Sequence, residues 1–263
     1  MIEVPWLAYW NLQTNPFGPR ASPFIPLASH AEVLSRLVDA IDSGSRAVKL
    51  SAEPGMGKST LLREALAQIR HPNRRLVSIN QPTSSEDVVL RVARALGRRA
   101  VGATGWLELL TGLNLAALQN QQVVIAIDDL RGLDSFDTIN LLESVADRYA
   151  MTIVQVGRPD DLTRVNRDFD RAISLPRLSR SETLTYLMAK WSWAGGKSLA
   201  IEPRGVTTLH GVAEGVPACL NRIIGQALRD VGSRRGSVVT AADVELVVER
   251  SLMPGWSVPR GIG

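Results

Sequence analysis

Ala52-Glu53-Pro54-Gly55-Met56-Gly57-Lys58-Ser59-Thr60 lies between a short apolar stretch, residues 46–50, and a segment with helical apolar spacing, residues 59–69. It differs at one position from G-x-x-x-x-G-K-[ST], the phosphate-binding P-loop, with Ala52 where the first glycine belongs. Alanine costs little there if φ stays negative. Glycines at 55 and 57 let backbone N–H groups curl toward an anion at a helix N-terminus, whose partial positive charge favours phosphate. Glu53, Pro54, Gly55, Met56, Gly57, Lys58, Ser59 and Thr60 are therefore the candidate nucleotide-binding residues. Lys58 would reach the β- and γ-phosphates, and the Ser59 hydroxyl would bind Mg²⁺.

The second half of such a site lies downstream. Val123-Val124-Ile125-Ala126-Ile127-Asp128-Asp129 is an apolar strand ending in two carboxylates, the Walker B pattern. Asp128 would support the magnesium and Asp129 would act as base or position the water. Asp129 is one methylene shorter than the glutamate many ATPases carry, which points either to slow turnover or to a base acting through an additional water.

Around these motifs, apolar strands of four to six residues alternate with helical patterns, which means a parallel sheet covered on both faces. The expected strands are 46–50, 75–80, 123–127, 152–156 and 172–175; the helices are 30–43, 59–69, 86–96, 106–118 and 136–149. After Pro176 only helical patterns remain, at 181–193, 205–212, 217–231 and 241–250. The implied organisation is an extended, proline-rich N-terminal arm (1–28), a nucleotide-binding core (29–178), a helical lid (179–252) and a loosely held tail (253–263).

The 263 residues are 45% hydrophobic and 21% charged, a soluble globular composition. The net charge of +4, with arginine far outnumbering the four lysines, permits a nucleic-acid partner without demanding one. A single cysteine, Cys219, excludes an internal disulfide framework and fits a reducing cytoplasm. Residues 101–127 carry one charge, Glu108, but Gln119-Asn120-Gln121-Gln122 divides them, so no membrane span is expected. The start lacks the basic and apolar regions of a secretory signal. His30, His71 and His210 share no metal-ligand spacing. Trp6, Trp10, Trp191 and Trp193 could stack on bases but read better as core, and Arg98-Arg99 and Arg234-Arg235 read as exposed loop tips able to meet a DNA backbone.

Beyond the two motifs the chain resembles AAA+ ATPases of the ExeA/GspA type, with their relatives in transposition (TnsC, TniB and MuB-like proteins). The resemblance runs through Asn15-Pro16-Phe17, Gly157-Arg158-Pro159-Asp160-Asp161-Leu162, Arg171-Ala172-Ile173, Leu175-Pro176-Arg177-Leu178-Ser179 and Gly215-Val216-Pro217-Ala218-Cys219-Leu220-Asn221. It implies an α/β P-loop fold of AAA+ type, with a parallel five-stranded sheet and a C-terminal helical lid. It also implies that the arm packs near the adenine and that Arg158 stands in the sensor 1 position, replacing the usual glutamine. Arg171, just past an edge strand and after a short arginine-rich helix, would be the arginine finger for a neighbouring subunit; pairing with Asp168 or Asp170 is the plainer alternative. The lid arginine is replaced by Ala218, and Arg222, one turn on, could substitute.

The resemblance thus implies a Mg-ATP-dependent ATPase that assembles as a homo-oligomeric ring or filament. Transposition relatives imply assembly on double-stranded DNA as a target-selection regulator with a transposase partner. The ExeA/GspA match implies instead assistance to secretion or pilus assembly through a secretion-machinery protein. A third possibility is a slowly hydrolysing scaffold whose partner is protein. The short chain, ending after the lid without a membrane segment, favours the DNA reading.

Overall fold

The computed structural model describes residues 5–18, 23–163 and 170–252. The expected arginine-rich helix before Arg171, Asp168 with it, and the tail 253–263 lie outside them. In chain order the elements are α1 (Pro5–Tyr9), α2 (Ala28–Asp42), β1 (Ala47–Ser51), α3 (Lys58–Gln68), β2 (Arg74–Asn80), α4 (Ser85–Ala95) and α5 (Gly105–Leu118). They continue with β3 (Gln122–Asp128), α6 (Asp137–Val145), β4 (Met151–Gly157), α7 (Pro159–Leu162) and β5 (Arg171–Ser174). Four helices close the series: α8 (Arg180–Trp193), α9 (Pro203–Ala213), α10 (Pro217–Ser233) and α11 (Ala241–Leu252).

The chain divides into two compact units, residues 29–176 and the remainder on either side. The first is built on a five-stranded parallel sheet of order β2-β3-β4-β1-β5. Every residue of β4 is buried, and β3 is buried from Val123 to Asp128, as central parallel strands covered on both faces must be. On one side the sheet packs against Val88, Val92, Leu109, Leu113, Ile139 and Leu142 from α4, α5 and α6. Because all strands run the same way, the loops after β1, β3 and β4 leave from one end, where open α/β sheets place their ligands.

The second unit is helical. Tyr186, Leu187 and Trp191 of α8, Val206 and Leu209 of α9, Leu220, Ile224 and Leu228 of α10, and Val244 and Val247 of α11 form its core. Trp6, Leu12, Phe17 and Leu27 from the N-terminal segment join that core. Its α8 opens with a capping box, in which the Ser179 hydroxyl accepts from the Glu182 N–H and the Glu182 carboxylate accepts from the Ser179 N–H.

Three expectations need correction. The N-terminal segment is not extended throughout: α1 puts Trp6 and Trp10 on one side, where the Trp10 indole donates to Leu228 O at 3.0 Å. The helix expected over 136–149 stops at Val145 and gives way to a 3-10 turn, Asp147–Tyr149. Ala150 then takes φ 47° and the Met151 N–H returns to Ala146 O at 2.9 Å, which turns the chain into β4. Arg171 does not follow a strand but begins one, opposite Val48 of β1. Asp170 sets that register: its N–H donates to Ala47 O, and its carboxylate accepts the Arg46 N–H at 2.6 Å.

Candidate functional site

Three segments converge at the C-terminal end of the sheet. The loop after β1 is tied to the end of β4 by the Ala52 N–H on Gly157 O at 3.3 Å, and the Asp129 N–H donates to Val156 O at 3.0 Å. Within the loop, Gly55 and Gly57 take φ 82° and 91°, values that an L side chain rarely adopts. Ala52 keeps a negative φ and is buried, so the residue replacing the first glycine strains nothing. Met56 is buried and anchors the loop, whereas Glu53, Pro54, Gly55 and Gly57 are exposed. Helix α3 starts at Lys58 directly after left-handed Gly57, with no side chain capping its first N–H groups. That is the donor array an anion requires.

Lys58 folds back over the loop: its Nζ donates to Ala52 O at 2.8 Å and Glu53 O at 2.9 Å. Partial burial lowers its pKa, and the nearby Asp128 carboxylate opposes the shift. Asp128, at the end of β3, is buried and its pKa is raised by loss of solvation, an effect moderated by a hydrogen bond with Ser59. Ser59 and Asp128 thus present hydroxyl and carboxylate oxygens side by side, a hard-oxygen pair suited to magnesium. A cleft of about 290 Å³ continues from this pair along α3 and β2, lined by Arg63, Arg70, Ser78 and Asn80 among others.

Asp129 has an opposite environment. Its backbone is left-handed, at φ 67°, and its carboxylate is held by the Arg131 guanidinium, with Nε to Oδ1 at 2.6 Å. That contact holds its pKa below the usual carboxylate range. The residue is charged, but its oxygens are engaged. Arg131 was not singled out by sequence; its position two residues after Asp129, in the 3-10 turn Leu130–Gly132, is the signal that could have found it.

Arg158 follows β4, exposed, at the N-cap of α7, and its charge acts on both Lys58 and Asp129. Sequence-separated Lys58, Ser59, Thr60, Asp128, Asp129 and Arg158 are therefore brought to one end of one sheet. Arg171 is not among them. It stands exposed on edge strand β5, beside a pocket of about 350 Å³ that Arg36, Asp39 and Ser43 of the α2 side help to line. The pairing with Asp170 considered from sequence does not form, since Asp170 binds Arg46 at 3.1 Å. Among the described residues Arg171 makes no ion pair. Arg222 and Ala218 belong to the helical unit, both exposed on α10.

The other sequence candidates resolve individually. Trp6 and Trp191 are core residues, while Trp193 is exposed. Arg98 pairs with Glu108 at 2.8 Å and Arg234 pairs with Asp243, which leaves Arg99 and Arg235 exposed at the turn tips. No helix among the described residues is long and apolar enough to cross a membrane.

Residues 41–165 match the family model described as AAA domain. Over 259 residues the chain is 22% identical to general secretion pathway protein A of Aeromonas hydrophila, covering 90% of this chain and 47% of that protein. The chain thus spans about half the length of this curated relative. Among solved structures it is similar to Drosophila ORC bound to DNA, with TM-score 0.72, 16% identity, and coverage of 96% of this chain and 67% of that one. It is also similar to the Aeropyrum pernix ORC2 protein in its ADPNP-ADP complexes, with TM-score 0.63, 12% identity, and coverage of 92% and 73%. The fold is that of the AAA+ P-loop ATPases.

Proposed function

We propose that this chain binds Mg-ATP on the 52–60 loop, that binding drives its copies to assemble into rings or filaments, and that hydrolysis is slow until they do. One observation carries the reading. A glycine loop with its lysine, a Ser59–Asp128 oxygen pair and a second, separately charged Asp129 share one end of a single sheet, while an exposed Arg171 stands on the sheet's edge strand.

Lys58 would exchange its two loop carbonyls for phosphate oxygens, an exchange made easy because both present partners are neutral. Ser59 and Asp128 would hold magnesium, which when bound supplies neutralisation of phosphate charge. Asp129 would orient the attacking water, and the Arg131 guanidinium that lowers its basicity would make the isolated subunit a slow hydrolase. Arg171 of one copy would approach the γ-phosphate held by the next, a contribution worth about 10³–10⁵ in rate where such fingers operate. Arg158 would read the same phosphate from within the sheet unit, and Arg222 is proposed as the substitute for the lid arginine that Ala218 replaces.

Double-stranded DNA is the proposed surface for assembly, in the manner of a transposition target-selection regulator. Its support is the arginine-rich composition, the exposed Arg99 and Arg235, and the likeness in fold to ORC bound to DNA. A second reading, assistance to a secretion assembly, is favoured by the match to general secretion pathway protein A.

Sedimentation and negative-stain microscopy of the protein with Mg²⁺ and a slowly hydrolysed ATP analogue, with and without duplex DNA, separate these readings. Particles that require both nucleotide and DNA, and that fall apart as salt rises, are expected. Rings indifferent to DNA would transfer the proposal to secretion. Monomers in every condition, or assembly that survives Lys58→Ala, would refute nucleotide-driven assembly.

A further inference from the structure

A cluster of buried polar groups lies under the site, and neither phosphate nor magnesium chemistry uses it. Lys49 of β1 is 5% exposed, Gln155 of β4 is 0% exposed and Glu143 of α6 is 9% exposed. Lys49 and Gln155 are direct neighbours in the β1–β4 register, so both project from the same face of the sheet. Gln155 Nε2 donates to Glu143 Oε1, and Lys49 and Glu143 attract one another as ammonium and carboxylate.

The Lys49 ammonium also reaches out of the sheet. Its Nζ donates to Leu162 O at 3.2 Å. Leu162 ends α7, a single turn whose N-cap is Arg158. Inside that turn the Leu162 N–H donates to Arg158 O at 3.1 Å and the Thr163 N–H to Pro159 O at 3.1 Å. A helix of one turn leaves its last carbonyls without helical partners. The lysine supplies one at Leu162, and it does so from the strand that leads, three residues later, into Ala52 and the P-loop.

We infer that Lys49 is a positioning residue, with Glu143 as its counter-charge: its ammonium fastens the turn that carries Arg158 to the strand that carries the P-loop, so that Arg158 stays aimed at the bound nucleotide's phosphates. The inference deepens the function proposed above and rests on it. Stability alone is a poor reason for the pair. A buried ion pair exchanged for apolar side chains of similar volume is often neutral or stabilising. What Leu and Met cannot supply is the directed hydrogen bond to Leu162 O.

The decisive variant is therefore Lys49→Met with Glu143→Leu, which removes both charges and keeps the volume, alongside Lys49→Met alone. In nucleotide-free protein, hydrogen–deuterium exchange of the Leu162 and Thr163 amides should quicken about tenfold or more in both variants, the factor expected for losing one charge-assisted hydrogen bond. Exchange across β3 should stay unchanged in the double variant. In Mg-ATP turnover the double variant should lose about tenfold in kcat with KM nearly unaltered, because the loop that binds the phosphates is untouched. Unchanged exchange at Leu162 and Thr163 in a folded double variant would overturn the inference, and so would a loss confined to KM with none in kcat. Exchange is read without nucleotide. A wild-type protein that fails to hydrolyse ATP would thus refute the function proposed above while leaving the fastening of α7 to be decided separately.

Discussion

The two units bury one lysine each, and they solve the same problem differently. Lys49, in the sheet unit, has the Glu143 carboxylate for a counter-charge and the Leu162 carbonyl as hydrogen-bond acceptor. Lys190, in the helical unit, is just as buried at 5% exposure but among the described residues finds only the Pro16 carbonyl at 3.1 Å and the face of Tyr186, 5.3 Å from the ring centroid. Burial lowers the pKa of both, and for Lys190, with no carboxylate to oppose it, it does so to about 8. The sheet unit therefore holds a charge pair that is costly to split, while the helical unit holds a lone charge able to shed its proton. Each lysine ties down a segment remote in sequence, α7 in one case and the N-terminal segment at Pro16 in the other.

Splitting the pair should give the largest effect. Glu143→Leu alone removes the carboxylate that opposes the cost of burying the Lys49 ammonium and should destabilise the sheet unit by about 3–5 kcal/mol. Adding Lys49→Met should return most of that loss. Urea denaturation of the single and double variants at pH 7 measures both. A cost below about 1 kcal/mol for Glu143→Leu would show that the two side chains do not depend on one another.

The lone lysine makes a smaller, pH-dependent prediction. The Lys190 pKa is depressed in the folded chain, from 10.5 to about 8. Between those values the unfolded chain binds a proton that the folded chain has released, so stability rises with pH across that window. From pH 7 to pH 9 the gain should be about 1 kcal/mol, followed through the fluorescence of Trp191 and absent from Lys190→Met. An identical pH slope in wild type and variant would mean that the ammonium is solvated.

Neither lysine was assigned a role from sequence, although the P-loop, the Walker B carboxylates and most of the sheet were legible there. The difference is physical. Residues 52–60 are contiguous, so the pattern on which their proposed chemistry rests can be read from spacing alone. Lys49 interrupts the apolar run Ala47-Val48-Lys49-Leu50, and Lys190 falls on the α8 face with Thr183, Tyr186, Leu187 and Trp191. Both patterns announce a buried charge, but the partners Glu143, Leu162 and Pro16 lie far along the chain and only folding brings them in. The same limit governed Arg171. Its register depends on Asp170 meeting Arg46, a contact across 124 residues that no local pattern encodes. Asp129 was legible as an acid at a strand end but not as one already held by Arg131.

The finest distinction is between Lys190 and Glu143, whose contributions to stability change with pH in opposite senses. Glu143 has its pKa raised from 4.5 to about 6, chiefly by burial, with Lys49 and the hydrogen bond from Gln155 opposing the shift. The other charges it feels are Arg46, ahead of β1, and Asp170, ahead of β5, and these two act in opposite directions. Between 4.5 and 6 the folded chain keeps a proton that the unfolded chain has lost, so the contribution of this group is greatest at low pH and falls as pH rises through 6. Moving from pH 7 to pH 5 should therefore stabilise the sheet unit by about 1 kcal/mol through this residue. Asp87, Asp129, Asp134 and Asp170 of the same unit have lowered pKa values and respond in the opposite sense, so the raw pH curve mixes the two. The difference between wild type and Glu143→Gln isolates it: urea midpoints of the two should converge or diverge by that amount between pH 7 and pH 5. A difference that stays constant with pH would mean that Glu143 keeps its charge throughout, and that the pair with Lys49 is satisfied well enough to offset the whole cost of its burial.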